Sequence, residues 1–443
     1  MSIIERSNCT ISTLDNRGLG VCKIDGKFLY FPYVLPKETI EFTHYSYRGK
    51  DKFVVDKVLS YSSSRNKPPC KYFGSCGGCL LQHLNQDNYL GFKYEVIRNA
   101  LEKYQINSYL LNESRNSQGN ETLIKEMLTI PVNARRRAVF EVVKKEDKVF
   151  IGFHRYKSHQ IINIEGCLVL EPELSNLLEP LHKLCFAILA DKQKATLFFT
   201  KADNGIDFIF EIKNQEKISI EQKNILEGFA NKHSIIRLIY RYEGKWDVVH
   251  QVEKPRIKFD EVDVEIDSHS FLQVSSWSDK TIAELVLDAI TGQCGDIKIN
   301  VADLFCGRGT ITIPLSRKYK VDAFEFEQQS LKALEVALKK VEGREVVLCY
   351  QQDLFANPLS WGELNRYEVV VMNPPRAGAK EQCLKMKNAS VKTICYVSCN
   401  PDSFARDAAI LLSGHYKLLY TQPIDQFYWS PHIELFGVFV RCE

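Results

Sequence analysis

The sequence predicts an α/β protein in three parts: an N-terminal OB-like β-barrel, a central α+β domain and a C-terminal doubly wound, Rossmann-like domain. Three observations carry that expectation. After Gln273, apolar runs of four to six residues alternate with helical stretches, as a parallel sheet covered by helices requires. Short strands and turn residues crowd the first sixty positions. A chain of 443 residues is also too long for one compact core. The pattern changes give boundaries at residues 1–62, 63–265 and 266–443.

The elements follow in order. Cys9 to Leu14 alternates, Asn16-Arg-Gly-Leu-Gly turns, and Val21 to Ile24 resumes before Asp25-Gly26. An Asp-Gly pair between apolar runs is a strong hairpin signal. Phe28 to Phe31, Thr39 to Thr43 and Lys52 to Val58 complete five short strands. The stretch His44 to Lys52 mixes aromatics with positive charge, as single-strand RNA binders do; a solvated hairpin tip has the same composition and is preferred on this stretch alone. Asp87 to Lys103 has Tyr89, Phe92, Val96 and Leu101 at near-helical spacing. Residues 107–127 are polar and Asn-rich, hence a loop or insertion. Strands such as Ala138 to Val143 and Phe208 to Ile212 then return, with helical pieces between them, including Leu174 to Ala190.

Composition narrows the function classes. The formal net charge is only +3, so a surface for nucleic acid has to be a local patch. No N-terminal apolar segment and no run of membrane-spanning length occurs, which leads us to expect a cytoplasmic protein. There the 14 cysteines are not expected to form disulfides; most read as small core residues.

Cys70, Cys76 and Cys79 are different, because three thiols fall within ten residues around Gly77-Gly78. Thiolates at that density suit zinc or an iron–sulfur cluster. A fourth ligand is needed, and no second C-x2-C pair exists. Cys167 is the best candidate, though spacing alone does not select it.

A nucleoside cofactor pocket is suggested by four strand ends. Asn300 to Phe305 runs into Cys306-Gly307-Arg308-Gly309-Thr310, where glycines let a ligand approach the backbone at the carboxyl end of a strand. Glu325 ends the next strand and can accept both hydroxyls of a ribose. Asp353 follows the third; both acids could equally cap helices. Val369 to Met372 ends in Asn373-Pro-Pro-Arg376, a rigid turn that holds Asn373 toward the cleft.

The fifth strand ends in Ser398-Cys399-Asn400-Pro401, directing Cys399 into the same cleft, whereas Cys395 reads as a core thiol. Glu434 is an acid in an otherwise apolar terminal strand, so it is either exposed or a buried functional group. Together these residues fit methylation at carbon 5 of uracil. A thiolate adding to carbon 6 makes carbon 5 nucleophilic, and a base then removes the carbon 5 proton. The uridine has to be extruded or single-stranded to reach them.

These motifs, in this order, resemble the bacterial RNA 5-methyluridine methyltransferases, most closely those acting on 23S ribosomal RNA. The resemblance runs from a TRAM-like barrel through C-x5-C-G-G-C-x2-Q-H (Cys70 to His83), Cys167, Phe271-Leu-Gln273, Asp303-Leu-Phe-Cys-Gly, Asn373-Pro-Pro-Arg and Ser398-Cys-Asn-Pro to His432-Ile-Glu434. It implies a 4Fe–4S cluster on Cys70, Cys76, Cys79 and Cys167. It implies S-adenosyl-L-methionine held by Gln273, Phe305, Thr310, Glu325, Asp353 and Asn373, with Cys399 as nucleophile and Glu434 as base. RNA is the implied partner, and Arg135, Arg136 and Arg137 resemble a basic strand edge for phosphates, although a solvated edge looks the same. Many members have Asp at the position of Asn373, and Asn-Phe where Thr310-Ile311 stand here. Thr310 still hydrogen-bonds, so altered cofactor affinity is expected rather than lost activity.

Three other readings fit parts of the sequence. Transfer RNA is a second candidate substrate. Asn373-Pro-Pro also suggests methylation of an exocyclic amine, but Arg376 stands where such enzymes stack an aromatic, and that chemistry needs no thiol. The third is a non-catalytic iron–sulfur protein that binds RNA or senses redox state.

Overall fold

The computed structural model describes residues 2–47, 50–106, 124–215, 217–268, 270–295 and 297–442. Most of the polar stretch expected as a loop, residues 107–123, lies outside them. The chain divides into two units. The first comprises residues 1–98, 153–162 and 429–432, and the second comprises 99–152, 163–428 and 433–443.

In the first unit, strands β1 (Ser2–Thr10), β5 (Thr39–Tyr47) and β6 (Lys50–Ser60) form one antiparallel sheet, in the order β1-β5-β6. Strands β2 (Thr13–Leu14), β3 (Gly20–Ile24) and β4 (Lys27–Phe31) form another. The single strand expected over Cys9 to Leu14 is broken in two. Ile11 turns into the core, and its backbone bonds Glu38 and Lys37 instead of continuing the ladder. That core holds Ile11, Cys22, Phe31, Val34, Ile40 and Phe42. The Asp25-Gly26 turn is found between β3 and β4, with φ of 47° and 78°, the doubly left-handed turn that matches strand twist. In the β5–β6 hairpin, His44 stacks on Phe53 and bonds Asp51 at 2.9 Å. Helix α1 (Gln86–Lys103) buries Tyr89, Phe92, Val96 and Leu101 on one face, the stripe its spacing predicts.

Strand β7 is Leu128–Thr129, and a seven-stranded sheet, most of whose residues belong to the second unit, has the order β10-β9-β8-β11-β12-β13-β14. Its strands are β8 (Arg137–Lys145), β9 (Lys148–His154), β10 (Ile161–Asn163), β11 (Lys194–Ala202), β12 (Gly205–Ile212), β13 (Ile235–Tyr242) and β14 (Lys245–Gln251). Helix α2 (Pro172–Ser175) and helix α3 (Leu178–Ile188) fall where Leu174 to Ala190 suggested helix. Strands β12 and β13 are parallel and so need a crossover, which α4 (Ile220–Lys232) supplies from a Ser219/Gln222 capping box. Arg237 grips Asp207 with two bonds of 2.7 and 2.9 Å in the buried sheet, the bidentate geometry that compensates desolvation.

Hairpin β15 (Arg256–Phe259) and β16 (Val262–Glu265) packs Ile257, Phe259, Val262 and Val264 against Ile313, Leu331 and Leu334. After α5 (Ser276–Cys294) come β17 (Asn300–Leu304), α6 (Thr312–Leu315), β18 (Lys320–Glu325), α7 (Gln328–Leu338), β19 (Val347–Gln351), α8 (Trp361–Leu364) and β20 (Val369–Met372). Then follow α9 (Lys380–Met386), β21 (Thr393–Ser398), α10 (Pro401–Leu412), β22 (Tyr416–Asp425) and β23 (Glu434–Arg441). They build an eight-stranded sheet, β19-β18-β17-β20-β21-β23-β22-β7. The first five are parallel, as the buried apolar runs predict, whereas β23 is antiparallel to both neighbours. The strand order reverses at β17, so ligands are expected beyond its carboxyl end. Among the described residues no helix is long and apolar enough to cross a membrane.

Removing one partner of the Asp207–Arg237 pair strands a buried charge. Asp207→Ala is expected to destabilise the second unit by about 3–5 kcal/mol, measured as an earlier urea unfolding transition.

Candidate active site

The turn after β17 carries the expected ligand cradle. Phe305 adopts φ of 62°, which is unusual for a bulky residue, and Gly307 and Gly309 have φ of 56° and 94°. A Cβ on Gly309 would lie 2.5 Å from the Leu334 side chain, so glycine is required there. Glu325 sits across this turn. One carboxylate oxygen accepts from Gly307 N–H at 3.0 Å, and the other from Phe326 and Glu327 N–H at 2.8 and 2.9 Å. Asp353 uses one oxygen for Phe355 N–H and Ala356 N–H at 2.9 and 3.2 Å. These bonds close a turn rather than cap a helix, since the next helix, α8, is capped by Ser360. The rings of Phe305 and Phe355 approach to 5.4 Å. Asn373 is anchored by its N–H to Leu304 O at 3.2 Å, and Thr310 is half-buried in the turn.

Asp303 is a further acid here. It is fully buried, accepts from Thr312 Oγ1 at 2.6 Å, and its other oxygen has no partner among the described residues. Burial raises its carboxyl to about 7.

Strand register unites Cys399 and Glu434. Ser398 pairs with Leu435 across the antiparallel β21–β23 ladder, so the residue after one strand meets the residue before Leu435 on the other. Glu434 is buried. Burial lifts its carboxyl to about 8, although the Gln426 amide pulls it back. Burial likewise raises the half-buried Cys399 thiol to about 11; the Glu434 charge adds to this and Arg376 opposes it. Asn400 caps α10 and donates to Arg376 O at 3.2 Å, which ties the Ser-Cys-Asn-Pro turn to the Asn-Pro-Pro-Arg turn.

Gln273 stands beside this pair. Gln426 Nε2 donates to Gln273 Oε1 at 3.2 Å and to Glu434 Oε2 at 2.7 Å. The Arg135–Arg137 run is not a uniform phosphate edge. Arg136 is buried, pairs with Asp279 at 2.7 Å and donates to Gln273 O at 3.1 Å, while Arg137 donates to Ser270 O at 2.9 Å. Only Arg135 is exposed. The other two hold the Ser270–Gln273 segment, a partnership invisible in the sequence because it spans more than 130 positions.

In the first unit, Cys70, Cys76 and Cys79 lie on a tight turn and form no disulfide. Gly78 N–H donates to Cys76 Sγ at 3.4 Å, and Gln82 Oε1 accepts from Cys70 N–H at 3.1 Å. A Cβ on Gly77 would meet His154 O at 2.8 Å. Burial raises the Cys76 thiol, with Cys70 contributing. Cys167 belongs to the second unit and forms no disulfide. Among the described residues, no three His, Cys, Asp or Glu side chains converge as metal ligands do.

The model of the tRNA (uracil-5-)-methyltransferase family matches residues 125–442. This chain belongs to that family. It is accordingly an S-adenosylmethionine-dependent RNA uracil-5-methyltransferase, which sets aside the exocyclic-amine and non-catalytic readings. An RNA methyltransferase of Brucella melitensis is 33% identical over 100% of this chain and 99% of its own. A 23S rRNA (uracil(1939)-C(5))-methyltransferase of Shewanella sediminis is 29% identical, covering 97% of this chain and 94% of its own. Among solved structures, the tRNA (uracil-54, C5)-methyltransferase of Pyrococcus abyssi with S-adenosyl-L-homocysteine superposes with a TM-score of 0.69. It is 20% identical and covers 98% of this chain and 100% of its own; the fold is shared.

Two outcomes follow from the ionisation of the pair. Alkylation of Cys399 by iodoacetamide is expected to rise with pH toward about 11, and Arg376→Ala should move that profile to higher pH by removing the favourable charge. For Glu434, the folded state prefers the protonated form. That contribution is complete below the ordinary carboxyl pKa of about 4.5 and is lost as pH rises through about 8. Glu434→Gln is therefore expected to gain thermal stability over the parent across this window and to plateau above it.

Proposed function

We propose that this enzyme methylates carbon 5 of a uridine in 23S ribosomal RNA, with Cys399 as nucleophile and Glu434 as base. The observation that carries the residue roles is the Ser398–Leu435 register, which opposes a strand-end thiol to a buried carboxyl. The ribosomal substrate is supported by the similarity to the Shewanella sediminis enzyme along almost the whole chain. Transfer RNA is kept as a second reading, because the family description and the Pyrococcus abyssi structure both name it.

The chemistry follows from the side chains. Cys399 adds as thiolate to carbon 6, forming a C–S bond and moving the ring electrons to carbon 5 as an enolate. S-adenosylmethionine, when bound, would supply the methyl group from its sulfonium to carbon 5, with the S–CH3 bond breaking and the neutral thioether as leaving group. Glu434 removes the proton from carbon 5; the C5=C6 bond re-forms, the C–S bond breaks, and Cys399 leaves as thiolate. A carboxyl at about 8 lies only about 1.4 kcal/mol from ionised at pH 7, so the base is accessible near neutrality. Glu325, Asp353, Asn373, Phe305 and Thr310 are assigned to the cofactor, because they follow successive strand ends around the switch point; Gln273, which lies between β16 and α5, is assigned to it by the family resemblance.

For the first unit we propose a TRAM-like OB fold that grips RNA, and an iron–sulfur role for its Cys70, Cys76 and Cys79. Three thiols within ten residues that form no disulfide, an N–H donated to sulfur and a Gly77 without room for a side chain fit thiolate ligation chemically. The resemblance's fourth ligand, Cys167, belongs to the second unit.

Tritium release from RNA labelled at uridine carbon 5 tests the function. Anaerobically purified enzyme is expected to release tritium from unmodified 23S RNA only with S-adenosylmethionine, and Cys399→Ala should abolish release. Release from transfer RNA alone would transfer the assignment to the second reading.

A further inference from the structure

No motif in the sequence singles out Gln426, yet it joins two of the expected site residues. It follows directly on β22, whose Ile424 pairs with Glu434, so its side chain reaches the start of β23. Its amide nitrogen divides two protons between Glu434 Oε2 at 2.7 Å and Gln273 Oε1 at 3.2 Å. All three side chains are at most 5% exposed, so water does not substitute for these bonds. The Gln426 carbonyl oxygen is buried without a partner among the described residues, an arrangement with a cost that native interiors avoid unless it is used.

We infer that Gln426 is a positioning residue that holds the Glu434 carboxylate ready for proton removal and links it to Gln273. This rests on the reading of Glu434 as the base. An N–H donor favours the charged form of a carboxylate, at a place where burial opposes it. Once Glu434 has taken the carbon 5 proton, it becomes a donor in need of an acceptor. A half-turn of the Gln426 amide brings the unpartnered carbonyl to that proton and withdraws the nitrogen from Gln273. The amide thus serves both states of the base, and the position of Gln273 is coupled to which state is held. Cys399 is the ionisable group that acts with Glu434 in this setting, and Arg376 acts on Cys399.

The test uses the full-length enzyme with S-adenosylmethionine and carbon-5-tritiated 23S RNA, comparing Gln426→Met, Glu434→Gln and the parent by rapid quench. Methyl incorporation, tritium release and denaturant-stable protein–RNA adduct are read separately across pH. Gln426→Met keeps the length of the side chain and removes both donor and acceptor. It is expected to leave the first methyl transfer within about twofold, to slow release by roughly tenfold or more and to accumulate adduct. Its release profile should move to higher pH, because about one pK unit corresponds to a tenfold change. Gln426→Asn, which draws the amide back by one methylene, should change release in the same direction and serves if the methionine variant does not fold. Equal slowing of transfer and release, with an unmoved pH profile, would overturn the inference. Unimpaired tritium release by Glu434→Gln would instead remove the base assignment beneath it.

Discussion

The antiparallel pairing of β23 with β21 is the constraint on which the site depends. Five parallel strands bring the glycine turn, Glu325, Asp353, Asn373 and Cys399 to their carboxyl ends. A parallel sheet offers only strand ends of that kind on its ligand edge. By running the opposite way, β23 delivers the beginning of a strand to the same edge, and its first residue is Glu434. The register Ser398–Leu435 then sets the acid against the thiol. A slip of one residue would turn Glu434 to the other face of the sheet. The ladder is buried on both sides, with Cys395, Val397, Phe436 and Val438 in one core cluster, so the register is specified by packing along the whole strand.

Burial gives this pair its chemical character. Away from water, both the thiol and the carboxyl are pushed toward their neutral forms. Two adjacent anions would repel, so a resting site with few charges is the stable one. What opposes this is local: the Gln426 N–H on the carboxylate and the Arg376 charge acting on the thiol. The groups that hold the site are in turn held. Arg136, neutralised by Asp279, and Arg137 fasten the segment carrying Gln273 through its backbone carbonyls. Side chains that resemble an RNA-binding edge in the sequence thereby serve the architecture.

Much of this was legible in the sequence where the signal is local. The Asp25-Gly26 turn, the five parallel strands, the crowded glycine turn and the strand-end position of Cys399 all follow from short windows of residue type. The break of the first strand at Ile11 was not legible, because burial of that side chain depends on a partner segment near Glu38. Neither was Gln426: a glutamine after an apolar strand has no distinguishing pattern, and its two partners lie 8 and 153 positions away. Asp303 is intermediate. It stands within a quoted motif, but only the fold shows an oxygen without a partner.

The nucleophile assignment is the claim on which the chemical account turns, and a trapped complex tests it most directly. Carbon 5 bearing fluorine cannot lose a proton, so the enzyme should remain joined to 5-fluorouridine RNA after methyl transfer. Nuclease and protease digestion followed by mass spectrometry would then locate the nucleotide. The account predicts a methylated fluorouridine adduct on the peptide containing Cys399, formed only with S-adenosylmethionine. An adduct on another residue, or turnover without one, would contradict it.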